Sequence, residues 1–478
     1  VFLRNTTSPF LIICILILVI AAVLMAVGFG TGDPGGPDDG LLHLAGATAL
    51  LRGEDYPLVQ RPPLYSGLIA LTARLSGADV EGSVLSPEAQ ELGSITFFEV
   101  STALQTPQTL RTMLWLNILC WLIAAVLVLL TLRELGIGAV GLGAATTGLL
   151  LPSSWQMVGL VSETPLCQLL FAVGIYATVR GSLTNRSLLW WMVAGVAFAL
   201  LGLAKPTFQL LSPVIAIAAL VGFTLLRREQ FRATARFAIM LIVIWGVLVC
   251  GWSIRNSAEH GFLGVSGVGG VALSTRTALY VERGAATFPE EAPIFTQIRD
   301  ELFVQTPQKP DIVYWGARAS NWLMSARGLS YLDANRFLTA YNLAVIRAAP
   351  LNYLLTFAQS GLYFQFPSVP DTWPTALRLV TSGIELLVTV SFWIVFVLWL
   401  SLHALSRLGW LKKRLTVSDV FIALCALCFL YTMAISSGVD VGKPEHRLPV
   451  QMLVIILIVL GTRELVSARH QGIESNSV

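Results

Sequence analysis

Charge is scarce in this 478-residue chain: Asp, Glu, Lys and Arg together make up 12% of it. A soluble domain carries about twice that share, so that class is excluded at the outset. The net charge is only +3. It carries no signal for nucleic acid, and no nucleic-acid partner is expected. Cysteine is also sparse, with six residues, Cys14, Cys120, Cys167, Cys250, Cys425 and Cys428. All fall inside apolar runs, which excludes a disulfide framework in any exported loop. Cys425 and Cys428 form a C-x-x-C without a second ligand pair, and packing is the expected role. No internal repeat or low-complexity tract stands out, so a single domain, 1–478, is expected.

What the chain has in excess is apolar length. Hydrophobic residues make up 55% of it, and the mean hydropathy is +0.73. The runs are far longer than the roughly ten-residue alternating strands of a membrane barrel. Helices are then the structure that satisfies every backbone group in lipid. Spans of about 20 residues fit ten candidate segments, near 10–30, 109–132, 137–152, 163–180, 187–204, 207–226, 237–254, 379–402, 417–436 and 448–466. The first resembles a signal peptide, but it is long, and GTGDPGGPDDG after it lacks a small-residue cleavage site; it reads as a retained anchor.

Basic residues set the orientation. With the N-terminus in the cytoplasm, the inner loops hold Arg4, Arg133, Arg180, Arg186, Arg227, Arg228, Arg232, Arg236, Arg407, Lys412, Lys413 and Arg414, as the positive-inside rule requires. An even number of spans returns the C-terminus, with Arg463 and Arg469, to the same side.

Two outer segments then exceed simple connectors. Residues 31–108 hold Asp38 and Asp39, a candidate amphipathic helix (LLHLAGATALLRG) and a Pro-Pro segment (RPPLYSGLIAL). Residues 255–378 are rich in aromatics and charge. Within them, RFLTAYNLAVIRAAPLNYLLTFAQSGLYF has helical spacing broken at Pro350 and suits helices lying at the interface.

On this topology the remaining polar residues share one depth. Asp38 and Asp39 follow the first span, Arg61 opens the Pro-Pro segment, and Glu163 starts the fourth span. Lys205 sits between the fifth and sixth, Arg255 ends the seventh, and Glu445, His446 and Arg447 precede the last. Carboxylates and cations gathered at the outer ends of helices suit a substrate with an anionic group anchored in the bilayer and a polar group above it. Structural roles compete with this reading. Asp38 and Asp39 can cap the helix beginning near Leu41, and Glu163 can cap its own helix. Lys205 and Arg447 can be snorkelling anchors, Arg255 can be an interface partner of Trp252, and His43 reads as a surface residue.

The ordered run D-D-x(3)-H-L-A-x(3)-L-L-R-G-x-x-Y, R-P-P-L-Y, S-E-T-P-L, L-A-K-P-T, W-S-I-R-N-x(4)-G and E-H-R-L-P resembles the C-type (GT-C fold) glycosyltransferases that use polyprenyl-phosphate sugars. Within them it is most similar to the branch of protein O-mannosyltransferases and the lipid A aminoarabinose transferase. The resemblance implies an all-α bundle of about ten spans that moves a sugar from a lipid-phosphate carrier to an acceptor hydroxyl on the outer face. It also implies that an acid of the first outer loop, Asp38 or Asp39, is the general base and that cations hold the departing phosphate. Lys205, Arg255 and Arg447 match that second role, and Arg61, Glu163, Glu445 and His446 complete the expected substrate-binding set. The expected acceptor is a lipid, a glycan or a protein. The chain departs from the family in three places: Asp-Asp where Asp-Glu is common, Lys205 where Arg is usual before proline, and Leu448 where Tyr commonly follows the arginine. A divalent metal is compatible with the first-loop acids, but no clear ligand set is present. The competing class is a lipid or small-molecule transporter, which typically places such charges near the bilayer midplane of repeated halves.

Overall fold

The computed structural model describes residues 9–29, 39–54, 56, 61–77, 107–184, 187–226, 231–305, 313–366, 375–407, 416–439 and 444–475. The described residues form helices joined by turns. In chain order these are α1 (Pro9–Phe29), α2 (Asp39–Leu51), α3 (Pro63–Ser76), α4 (Pro107–Glu134), α5 (Ala139–Leu149), α6 (Thr164–Leu183), α7 (Ser187–Ala204), α8 (Leu211–Leu226) and α9 (Phe231–Trp245). A π-turn at Gly246–Cys250 carries α9 into α10 (Gly251–His260). Then follow α11 (Gly269–Thr277), α12 (Glu291–Gln305), α13 (Val313–Arg327), α14 (Tyr331–Ala348), α15 (Pro350–Tyr363), α16 (Thr375–Arg407), α17 (Val417–Val439) and α18 (Gln451–Ser475).

Among the described residues, eight helices are long and apolar enough to cross a membrane, and each coincides with an expected span. The other two expected spans are the shorter apolar helices Ala139–Leu149 and Pro206–Val221. At 1.5 Å per residue α5 covers about 16 Å, half of a hydrocarbon core. The chain then turns through a one-turn helix, Pro152–Trp155, and a 3-10 turn, Gln156–Gly159, before reaching α6.

Lipid leaves its mark on α1. Leu11, Cys14, Leu18, Ala22 and Met25 are buried at three- and four-residue spacing, while Ile13, Leu16, Ile20, Leu24 and Val27 face outward. One stripe therefore meets the bundle and the rest meets acyl chains. The central packing is α4 on α6 and α6 on α7, with α9 against α7 and α18 against α16 and α17. Gly174 and Gly181 of α6 permit a close approach, since a Cβ there would stand 2.7 Å from the Phe198 ring and 2.5 Å from the Trp191 ring of α7.

The described residues between 271 and 353 build a core of their own. Phe295, Trp315, Leu323, Leu338 and Tyr341 are fully buried in it, and Phe295 meets Tyr341 edge-on at 4.8 Å. α14 starts where the Ser330 hydroxyl accepts from the Asp333 amide, a standard N-cap. It ends at Ala348, two residues before Pro350, so the expected break is present. α15 exposes Leu351, Leu354, Leu355 and Leu362. The Tyr353 hydroxyl donates to the Gly438 carbonyl at 2.8 Å, tying α15 to α17.

The first-loop helix corrects one expectation. An amphipathic helix with one wet face was expected at 41–53, but α2 buries Leu42, His43, Leu44, Ala47, Thr48 and Ala49. Its small residues let it pack closely along α3, so it sits inside the fold.

Candidate functional site

The site forms where the first turn of α6 meets the last turn of α7. These helices are antiparallel neighbours, so the start of one lies beside the end of the other. α7 stops at Ala204 because Pro206 follows: the residue before a proline is pushed to extended backbone, and Lys205 has φ −142° and ψ 124°. That turn aims the Lys205 ammonium at Glu163, with Nζ 2.7 Å from Oε1. The other carboxylate oxygen of Glu163 lies 3.5 Å from His43 Nε2 of α2. His43 is 1% exposed. Its Nδ1 is 3.3 Å from the Ser66 hydroxyl of α3, and its ring meets Tyr65 edge-on at 5.0 Å. The expectation that His43 lies on the surface is therefore overturned; the packing of α2 on α3 turns it inward onto a carboxylate.

A hydrogen-bonded shell fixes this core. The Tyr65 hydroxyl donates to Asn117 Oδ1 at 3.0 Å, and Asn117 Nδ2 donates to the Leu160 carbonyl at 2.6 Å. Ser162 Oγ accepts from the Thr164 amide at 3.2 Å. Ser162 thus meets the first amide of α6, and the Glu163 side chain, which makes no cap bond, turns to Lys205 and His43. The Tyr56 hydroxyl donates to the Pro62 carbonyl and also lies 3.2 Å from Ser66 Oγ. Its ring meets Trp252 at 5.8 Å, and Trp252 carries the Arg255 guanidinium over its face at 4.6 Å. The π-turn just before Trp252 adds one residue to the helix and re-aims that turn, a common device at functional positions.

Two cations act on the cluster beyond Lys205. Burial raises the Glu163 carboxyl, but the Lys205 ammonium, the His43 hydrogen bond and charge, and the Arg61 charge outweigh it, holding the group well below the usual carboxylate range. Glu163 is accordingly ionised. Burial pushes the Tyr56 hydroxyl up to about 12 against the opposing pull of Ser66, Arg61 and Arg255. Burial likewise raises Tyr331, opposed by Arg61. The arrangement is a buried anion ringed by cations, with Lys205 18% exposed.

The expected site residues fall into three groups. Glu163, Lys205 and Arg61 come together with His43, and Arg255 borders them through Trp252 and Tyr56; Arg255 also pairs with Glu259 on its own helix. Arg447 lies elsewhere, fully buried. Its Nε donates to Gln451 at 3.0 Å and its Nη1 to Thr389 at 2.7 Å and to the Gln365 carbonyl. Gln168 of α6 ties that segment to the site helix by donating to the Leu448 carbonyl at 2.9 Å. His446 is half-buried on the same turn. Asp38 lies outside the described residues. Asp39 begins α2, and its side chain and that of Glu445 lie outside them as well. Among the described residues no group of three or more His, Cys, Asp or Glu is placed to hold a metal ion.

Sequence reasoning missed His43, Tyr65, Asn117 and Glu385. Glu385 is 0% exposed within α16. A lone acid inside an apolar span is itself a functional signal and was available in the run SGIELLVTV.

No family model and no curated protein matches the chain. Among solved structures it is similar to the archaeal oligosaccharyltransferase AglB from Archaeoglobus fulgidus in complex with an inhibitory peptide and a dolichol-phosphate. The TM-score is 0.50 at 12% identity, covering 97% of this chain and 52% of that one. ArnT from Cupriavidus metallidurans bound to undecaprenyl phosphate also aligns, with a TM-score of 0.38 at 12% identity over 94% of this chain and 77% of that one. The chain spans about half the length of AglB, and at this identity the likeness is one of fold. The chain is an all-α polytopic membrane protein with a GT-C-like helical bundle.

Proposed function

We propose that the protein is a membrane glycosyltransferase that moves a sugar from a polyprenyl-phosphate donor to an acceptor hydroxyl at the face opposite the basic loops. The observation that carries this reading is the Glu163–Lys205–His43 cluster, buried at one end of the bundle beneath the Arg61 segment. A buried ion pair is costly to build, and the positive fields of Lys205 and Arg61 at this end of the bundle suit a ligand with an anionic group. In the proposed reaction the acceptor oxygen attacks the anomeric carbon, the bond from that carbon to the phosphate oxygen breaks, and the phosphate leaves with the electron pair. Lys205 and Arg61 hold the developing charge, with Arg255 at the border of the site. The acceptor proton passes to an acid of the first outer loop, Asp38 or Asp39, whose carboxylate must come within hydrogen-bond reach. AglB, which has the same fold, was captured with a dolichol-phosphate, which favours a lipid-linked phosphate as the ligand class.

Transfer from a panel of polyprenyl-phosphate sugars by purified protein in vesicles tests the proposal, with Asp38→Asn, Asp39→Asn and Lys205→Ala as variants. Loss of turnover by about 100-fold or more in one Asp variant is the expected result for a missing base. Unchanged activity in both Asp variants overturns that assignment. Wild-type protein that turns over no donor, yet moves lipid across the vesicle, overturns the enzyme.

A further inference from the structure

Glu385 keeps a carboxyl group fully buried inside a membrane span, where such a group is costly and marks a role. Its Oε1 accepts from the Ser153 backbone N–H at 2.9 Å, a contact across 232 residues of sequence. Ser153 opens the short segment that returns from α5 to Glu163. The far end of that segment is held by Asn117, which donates to the Leu160 carbonyl. The bonds of Ser154 to Gly148 and of Trp155 to Leu150 are local and only shape the turn. Two long-range tethers, one from α16 and one from α4, thus set where Glu163 emerges. Buried Arg447 donates from Nη1 to Thr389, one turn along the same helix from Glu385. Among the described residues Glu385 and Arg447 form no direct ion pair, and Glu385 Oε2 and Arg447 Nη2 have no hydrogen-bond partner.

We infer that Glu385 is a positioning residue for the Glu163–Lys205 pair, acting through the 152–163 segment. Its consequence for sugar transfer rests on the function proposed above. Releasing Ser153 lets the segment and the first turn of α6 shift, and Glu163 loses its grip on Lys205.

The test reads Lys205 directly. Folded protein in detergent is acylated briefly with an amine-reactive acetyl ester, and modification at Lys205 is measured by mass spectrometry against the other lysine peptides of the same sample. An ammonium freed from its carboxylate gives up its proton more readily. Labelling is therefore expected to rise about threefold or more in Glu163→Gln, Glu385→Met and Glu385→Asp; the last keeps the carboxyl group but retracts it by one methylene. Glu385→Gln, whose amide oxygen can still accept from Ser153, is expected to match wild type. If Glu385→Met does not fold, Glu385→Asp decides alone. Wild-type labelling in the folded Glu385 variants overturns the inference, and so does wild-type labelling in Glu163→Gln. In transfer assays Glu385→Asp is expected to lower kcat with little change in the donor KM, as a misplaced group does. A wild-type protein without transfer activity removes the proposed function and leaves the labelling result standing.

Discussion

Removing the charge of Glu163 probes the centre of the site most sharply. Glu163→Gln keeps the volume of the side chain and leaves Lys205 facing a neutral amide at the position of its 2.7 Å partner. Breaking a buried ion pair by removing one member costs about 3–5 kcal/mol when the other is trapped. Lys205 retains 18% exposure, so part of that cost is recovered by rotation toward water, and about 2–3 kcal/mol is expected. Lys205→Met and the double variant complete a cycle measured by reversible denaturant unfolding in micelles. A coupling of about 1.5–3 kcal/mol is expected for a close, largely desolvated pair. The pH dependence carries a sign. The carboxyl is held well below its ordinary value in the folded protein, so its contribution is complete above the unfolded value of about 4.3 and is lost as pH falls further, through the folded value. The wild-type and Glu163→Gln stabilities should therefore converge on acidification below about pH 4. A coupling under about 0.5 kcal/mol, the limit of ordinary additivity, or a difference that persists at the acid end, refutes the ion pair as the organising contact.

Two further perturbations test the frame around it. Asn117→Leu removes the acceptor for the buried Tyr65 hydroxyl and the donor to the Val158 and Leu160 carbonyls. Unfolding measurements should show a loss of about 2–3 kcal/mol, and Tyr65→Phe in the same background should recover part of it; no recovery counts against the pairing. Gly270→Ala places a Cβ 2.1 Å from the Asn335 carbonyl oxygen and 2.8 Å from the Thr339 amide nitrogen. Backbone cannot yield as a side chain tip can, so α11 and α14 must part at a cost of about 1–3 kcal/mol or more, read as a lowered Tm; an unchanged Tm contradicts that packing.

The spans were legible because lipid imposes one rule on a long stretch of chain: keep it apolar and helical. Local chemistry made some details equally legible, such as the helix break at Pro350 and the extended Lys205 before Pro206. Glu163 and Lys205 could be assigned to one depth from topology alone, and their ion pair follows from the antiparallel neighbours α6 and α7. His43 was misread for the opposite reason. A polar residue on a thirteen-residue helix faces water or protein depending on what covers it, and here the covering residues, Ser66 and Glu163, come from α3 and the start of α6. Periodicity within α2 holds no information about either.

Arg447 shows how far a motif reaches. Its charge was visible and its place before the last span was right, but a cation at a helix end reads the same whether it faces a phosphate or a carbonyl. The distinction rests on Gln365, Thr389 and Gln451, and two of those three stand in other parts of the chain. Glu385 is the converse case: its isolation in an apolar span was a plain signal of purpose, yet only the Ser153 amide, 232 residues away, gives that purpose a direction. A site built at the ends of helices is thus readable as a set of charges at one depth. Which of those charges touch each other is decided by the short non-helical segments between them, and those segments are held in place by residues deep inside other spans.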